Sequence, residues 1–219
     1  MIPFLIHTNQ QKFRYWLDFL IAMTEKEIKA RYKHAVLGFL WVVLNPLLQM
    51  LVMGFIFQFF VPVKVDNYFL FLFTGLLPWN LFSMSVSKVT PMFVYERSLI
   101  AKAKFPREAI ILSIILSNLF HFLIALCLLL PILLFFYSIN GAVFVFLLPA
   151  LIIYLLLFTS GLGLLTASLN VKFRDINFFV QALMPLWFYA TPIVYSLDLI
   201  PSNIRPLLYL NPMTGIIQM

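Results

Sequence analysis

The sequence predicts an all-α fold: a polytopic membrane helix bundle of five transmembrane helices, preceded by an N-terminal amphipathic interface helix. Three observations predict it. Hydrophobic residues make up 63% of the 219 and charged residues 11%, against about 25% charge in a soluble globular domain. Such a chain cannot cover a water-facing surface. No Asp, Glu, Lys or Arg occurs in residues 34–63, 67–87, 109–171 or 176–197, and roughly 20 apolar residues cross the hydrocarbon core as a helix. Three of these stretches suit one crossing each, and 109–171 is long enough for two. Finally, Phe13, Trp16, Leu17, Leu20 and Ile21 recur at helical spacing, with Lys12, Arg14 and Asp18 on other faces, the pattern of a helix lying in the membrane interface.

Taken in order, residues 8–33 form the interface region; a helix packed on a soluble partner is the alternative for the same pattern. Within it Thr24-Glu25-Lys26-Glu27 matches a capping box and suggests a new helix start. The first crossing runs over about 37–61, and 61–67 forms a short outer loop. The second covers about 68–86, and a longer loop, 87–108, follows. Pro106 suits the first turn of the third helix, about 106–137, which Pro131 should kink or end early. Ser138-Ile139-Asn140-Gly141 supplies the turn chemistry that splits the long apolar stretch. The fourth helix, about 142–169, holds Gly161 and Gly163, small residues that permit close helix contact. The fifth, about 176–195, has its hydrogen-bond ladder interrupted by Pro185 and Pro192. The transmembrane bundle thus occupies 34–196, and 197–219, with Pro201, Pro206 and Pro212, reads as an extracytoplasmic segment. The whole chain, 1–219, reads as one transmembrane domain.

Charge placement gives the orientation. Of the 15 basic residues, all but Lys64 and Arg205 fall on one side of the five spans. The positive-inside rule puts that side, with the N-terminus, in the cytoplasm. The net charge of +7 therefore apposes anionic headgroups rather than nucleic acid. Residues 1–6 are too short for a signal-peptide core. Cys127, the single cysteine, lies in an apolar segment and reads as a small buried hydrophobe.

Sites for chemistry are scarce. None of the eight carboxylates lies inside a span, which disfavours a proton-coupled transporter. Of the three histidines only His121 is intramembrane, and a hydrogen bond between helices accounts for it better than catalysis. No cluster has metal-ligand spacing, and no phosphate loop is present, so ATP-driven work requires a partner chain. What the spans do contain is uncharged polar and aromatic stripes. Trp41, Asn45 and Gln49 fall at i, i+4 and i+8. Gln181, Phe188 and Tyr195 fall at intervals of seven, flanked by Met184 and Thr191. Asn118 and His121, three apart, share a face. Amides in lipid need partners. Each stripe therefore serves either interhelical hydrogen bonding or a wall for an uncharged polar substrate, whose sugar rings stack on aromatics and whose hydroxyls pair with amides.

Several motifs together resemble one family. Lys29-Ala30-Arg31-Tyr32-Lys33, Leu37-Gly38-Phe39-Leu40-Trp41 and Asn45-Pro46-Leu47 are similar to the entry of the first span in type-2 ABC permeases that export polysaccharide. Gly75-Leu76-Leu77-Pro78-Trp79-Asn80 resembles that family's second span, and Lys104-Phe105-Pro106-Arg107-Glu108 its following loop. Phe173-Arg174-Asp175-Ile176, Thr191-Pro192-Ile193-Val194-Tyr195 and Leu210-Asn211-Pro212-Met213-Thr214 resemble its later regions. In order, these cover about 26–214. The family includes O-antigen (Wzm-like), capsule and teichoic-acid exporters of the cell inner membrane.

The resemblance implies a homodimer joined to two ABC ATPase subunits, moving a lipid-linked polysaccharide outward. ATP and Mg would sit on the partner, with no cofactor on this chain. The substrate-channel candidates are Trp41, Asn45, Gln49, Gln181, Phe188, Thr191 and Tyr195. The ATPase-interface candidates are Arg174 and Asp175 from the motif, and Glu96, Arg97, Lys102 and Lys104 from charge and position. A solvated basic loop is the alternative for the last four. The family usually has a sixth span, and the sequence stops at Met219, so a shortened permease is expected. A membrane-embedded transferase acting on lipid-linked sugars is the competing class, and it would need acids or a histidine near the membrane surface.

Overall fold

The computed structural model describes residues 9–33, 38–60, 65, 67–102, 106–136 and 141–218. Among them the chain is helical and has no strand. Helix α1 (Asn9–Tyr32) is followed by α2 (Trp41–Phe60), α3 (Tyr68–Val89), the short α4 (Met92–Tyr95) and α5 (Arg97–Lys102), then α6 (Glu108–Phe136), α7 (Gly141–Lys172) and α8 (Asp175–Tyr189). Two short helices, α9 (Arg205–Tyr209) and α10 (Pro212–Gln218), close the order. Four helices, α2, α3, α6 and α7, are long and apolar enough to cross a membrane. An all-α membrane bundle is therefore what the chain folds into.

Helix α3 is the axis of the bundle. Its residues Leu72, Leu76 and Phe82 are fully buried, and it packs on α2, α6, α7, α8 and α10. Around its middle, Phe82 stacks on Phe158 of α7 at 5.4 Å, and Trp79 meets Phe188 of α8 edge-on at 5.5 Å. Rings in such offset and edge geometries add to their area burial. At the basic end a second core gathers Met23 of α1, Val89, Met92, Ile110, Ile111, Ile114 and Ile115. Gly163 of α7 approaches Val89 so closely that an added Cβ would stand 3.2 Å from its Cγ1. Gly161, paired with it in the sequence reading, has nothing within 4 Å.

The predicted elements differ from the fold in several places. Helix α1 runs unbroken through the capping-box motif: the Thr24 hydroxyl donates back to the Leu20 carbonyl at 2.7 Å instead of capping a new start. Its predicted apolar stripe divides, with Leu20 buried and Phe13 and Ile21 exposed. The face that docks on the bundle is Leu20, Met23 and Glu27, one turn apart. Helix α6 continues through Pro131 to Phe136, because the hydrocarbon core offers the backbone no alternative partner. Cys127 on that helix is exposed, not buried. The 87–108 loop is partly helical, as α4 and α5. The turn at 138–140 and the outer loop at 61–64 and 66 lie outside the described residues.

The largest difference is at the fifth predicted span. Helix α8 ends at Tyr189, not Tyr195, and its 15 residues extend about 22 Å at 1.5 Å per residue, short of the ~30 Å core. Pro185 is accommodated inside the helix. Pro192 is not reached, since the residue before a proline is biased out of the helical region. The ladder tightens through Thr191 N–H to Phe188 at 3.1 Å, and the chain folds back. Thr191, Pro192, Ile193 and Val194 are all buried. The Tyr68 hydroxyl donates to the Val194 carbonyl at 2.8 Å, and Ile193 packs on Gly75. Met213 and Ile216 of α10, within the segment 197–219, join the same core.

Candidate functional site

Two clefts hold several of the polar side chains that the sequence singles out. The first, about 350 Å³, lies where the end of α1 meets α2, α3 and α6; it is lined by Arg31, Tyr32, Trp41, Asn45, Asn80, Asn118 and His121 with apolar neighbours such as Leu77 and Phe122. Trp41 and Asn45 sit one turn apart on α2 and both face it. Gln49, a further turn along, accepts a hydrogen bond from the Asn80 amide at 3.0 Å. The expected α2 stripe thus joins a polar group on α3.

Arg31 organises the far wall. Its guanidinium donates to Asn118 Oδ1 at 2.7 Å and to His121 Nδ1 at 3.1 Å. The Asn118 amide in turn donates to Ser85 at 2.9 Å. Asn118 and His121 do share a face of α6, and their common partner is this arginine. The ring of Tyr32 meets His121 edge-on at 5.5 Å, and burial pushes the Tyr32 phenol above its usual range against the opposing charge and hydrogen bond of Arg31. Sequence reasoning missed Arg31 because a cation before a first span reads as an ordinary positive-inside charge. The signal that could have exposed it is the intramembrane Asn118–His121 pair, whose polar atoms need a partner.

The α8 candidates go elsewhere. Gln181 is exposed and donates to Asn177 at 3.3 Å. Phe188 is buried against Trp79. Thr191 lies past the helix end, fully buried, its hydroxyl donating to the Trp187 carbonyl at 2.8 Å. Tyr195 is further on, and its hydroxyl donates to the Tyr189 carbonyl at 3.0 Å. Because the helix stops at Tyr189, the interval of seven to Tyr195 does not make a common face. Asn211 fastens this turn: it accepts from Trp187 Nε1 at 2.8 Å and from the Met213 N–H at 3.0 Å, and donates to Thr191 Oγ1 at 2.9 Å.

The second cleft, about 540 Å³, opens at the basic end and is lined by Arg97, Arg107 and Arg174 with Phe93, Val94, Ile100, Ser168 and Val171. It brings Arg97 and Arg174 together and adds Arg107. Glu96 is drawn to α1, 3.7 Å from Lys26. Asp175 opens α8, where a carboxylate favours the positive helix end. The Asn170 side chain, buried, accepts the Asn177 N–H at 3.1 Å and fixes the turn between α7 and α8. Lys102 ends α5, and Lys104 lies outside the described residues. On the exposed face of α1, the hydrogen bond and charge of Lys29 hold the Glu25 carboxyl below its usual range. No group of His, Cys, Asp and Glu among the described residues could hold a metal ion.

A multi-pass α-helical membrane protein with polar clefts at one end, and its ion-paired acids outside the spans, has the build of a transport subunit. Residues 19–219 match the family of ABC-2 type transporters, and the chain belongs to that family. Relatives agree. The chain is 36% identical over 207 residues to the O-antigen export system permease protein RfbA of Klebsiella pneumoniae, a match covering 93% of this chain and 78% of that one. It is 39% identical over 199 residues to the protein of the same description from Myxococcus xanthus, covering 90% and 76%.

Proposed function

We propose that this chain is the permease subunit of an ATP-driven exporter that moves an O-antigen-type, lipid-linked polysaccharide out of the cytoplasm across the inner membrane. Membership of the ABC-2 family is the observation that carries this reading, and the printed function of its relatives supplies the cargo. Two copies assemble with two ABC ATPase subunits, which bind the ATP and Mg; this chain binds no cofactor. The N-terminus and the arginine-lined end face the cytoplasm, in keeping with the charge asymmetry.

The ATPase docks at the end where Glu96, Arg97, Lys102, Arg174 and Asp175 lie, with Lys104 a further candidate from the sequence. The cleft of Arg97, Arg107 and Arg174 offers an acidic partner face both charge and an apolar floor. The glycan passes along Trp41, Asn45 and Gln49 and the exposed Gln181, while Phe188, Thr191 and Tyr195 shape the path through the turn after α8. A transferase acting on the same lipid-linked sugars is less well supported, since Glu25, Glu27 and Glu96 are each engaged by a lysine.

The test is co-purification with the cognate ATPase, together with labelling of single cysteines, placed in a Cys127→Ser background, by a membrane-impermeant reagent. The reading predicts a stable complex, with a cysteine in place of Ser98 labelled only from the cytoplasmic side. Absence of any ATPase association removes the exporter reading, and labelling of Ser98→Cys from outside reverses the orientation.

A further inference from the structure

We infer that the cleft of Arg97, Arg107 and Arg174 seats the headgroup of an anionic phospholipid, on the membrane side of the face where the ATPase docks. The ATPase's position rests on the exporter reading; the lipid site rests on the geometry of this chain.

The three arginines come from separate elements. Arg97 opens α5, Arg107 stands immediately before α6, and Arg174 lies in the turn between α7 and α8. All three line one space of about 540 Å³. Each is next in sequence to an acid, Glu96, Glu108 and Asp175, and none of those acids lines the cleft. Glu96 is drawn to Lys26, 3.7 Å away on α1. Glu108 and Asp175 occupy the first turns of α6 and α8, where the positive helix end favours a carboxylate. Among the described residues no carboxylate pairs with any of the three guanidiniums. Like charges are thus gathered while their neighbouring counter-charges lie elsewhere, and that repulsion is relieved when an anion joins them. Guanidinium forks suit phosphate oxygens in particular, and the Ser168 hydroxyl adds a neutral donor in the same space.

Depth and floor select a lipid. Helices α6 and α7 are long and apolar enough to cross a membrane, and the cleft lies where they end. Arg107 precedes the first residue of α6, while Ser168 and Val171 belong to the last turns of α7. At that level hydrocarbon gives way to headgroups. The floor is apolar, with Phe93, Val94 and Ile100. Leu165, one turn deeper than Ser168 on α7, is exposed and shares its face. A phosphate at the arginines therefore has apolar surface beneath it for acyl chains, which a free phosphate would leave uncovered. Basic pockets between membrane helices hold lipid headgroups on these terms. A guanidinium has five N–H donors, enough for a phosphate on the membrane side and an ATPase carboxylate on the water side.

The experiment is native mass spectrometry of the full chain, alone and with its ATPase. The sample is equilibrated in detergent with equal amounts of phosphatidylglycerol and phosphatidylcholine of identical acyl chains. Phosphatidylglycerol should be retained at least about tenfold over phosphatidylcholine, and Arg107→Gln/Arg174→Gln should remove most of that preference. Both arginines are exposed and hold nothing together among the described residues, so the variant should keep the wild-type melting temperature. Arg14→Gln/Lys33→Gln removes the same charge from α1 and should leave the preference within about twofold. Equal retention of the two lipids overturns the inference. So does an equal loss in both double variants, which would make the effect one of net charge alone. Release of phosphatidylglycerol when the ATPase binds would give the cleft to the protein partner and overturn it as well. ATPase association is read on the same spectra, so failure of the exporter reading and failure of the lipid site register separately.

Discussion

Lys88 at the end of α3 donates to Glu27 of α1 at 2.6 Å, and the carboxylate side of this pair is almost wholly buried while the ammonium side is partly open to solvent. The pair fastens the N-terminal helix to the axis of the bundle, beside the Met23–Val89–Met92 core. Its asymmetry has a consequence. Removing Lys88 strands a buried carboxylate, whereas neutralising Glu27 leaves a cation that water can reach.

Lys88→Met should therefore lower stability more than Glu27→Gln, by about 1–3 kcal/mol against less than about 1 kcal/mol, after discounting the buried-pair cost for solvent exposure. Thermal unfolding in detergent gives both values. The double variant should recover part of the Lys88→Met loss. Equal effects in the two single variants would contradict the assigned burial.

Gln49→Leu removes the acceptor of the Asn80 amide and frees that amide within the first cleft. Interhelical hydrogen bonds in membranes contribute about 0.6 kcal/mol on average, so assembly should survive. Export, read as glycan reaching the cell surface in a complemented deletion strain, should fall several-fold. Loss of the assembled complex instead would make Gln49 a packing residue.

Gly75→Val should push the turn after α8 away from α3. An added Cβ at Gly75 already stands 3.2 Å from Ile193 Cγ2 and 3.5 Å from the Ile193 Cα, and the backbone of that turn is held by Tyr68 on the same helix. Gly75→Ala should be tolerated, with a melting shift of a few degrees at most, while Gly75→Val should destabilise by about 1–3 kcal/mol.

Asn211→Ala should loosen the same turn from its other side, because that amide accepts from Trp187 Nε1 and the Met213 N–H and donates to Thr191 Oγ1. The expected cost is about 1–3 kcal/mol, with increased solvent exposure of Trp187 visible as a red-shifted tryptophan emission. An unchanged spectrum would mean that Asn211 does not hold the turn.

These residues also show what was legible beforehand. Missing charge located all four long apolar helices, because the hydrocarbon core excludes charge regardless of tertiary contacts. The Trp41–Asn45 spacing placed two residues on one cleft, since a single helix fixes their common face. Helix α8 was less transparent. Residues 176–195 are apolar throughout, and composition does not register that Thr191–Val194 leaves the helix to pack on Gly75. Phe188 illustrates the same gap: an aromatic in a membrane helix suits a path wall or a core equally, and contact with Trp79 decides. Arg31 and Thr24 depend on partners far away in sequence or on an alternative local hydrogen bond, and neither is visible in spacing.

The central claim, that this ABC-2 family chain is the permease of a glycan exporter, is tested most directly by ATP hydrolysis in proteoliposomes holding the chain and its ATPase. Lipid-linked glycan added to the side bearing the ATPase should stimulate hydrolysis several-fold and appear, in an ATP-dependent manner, in the opposite compartment. Hydrolysis indifferent to glycan, with no glycan crossing, would contradict the account.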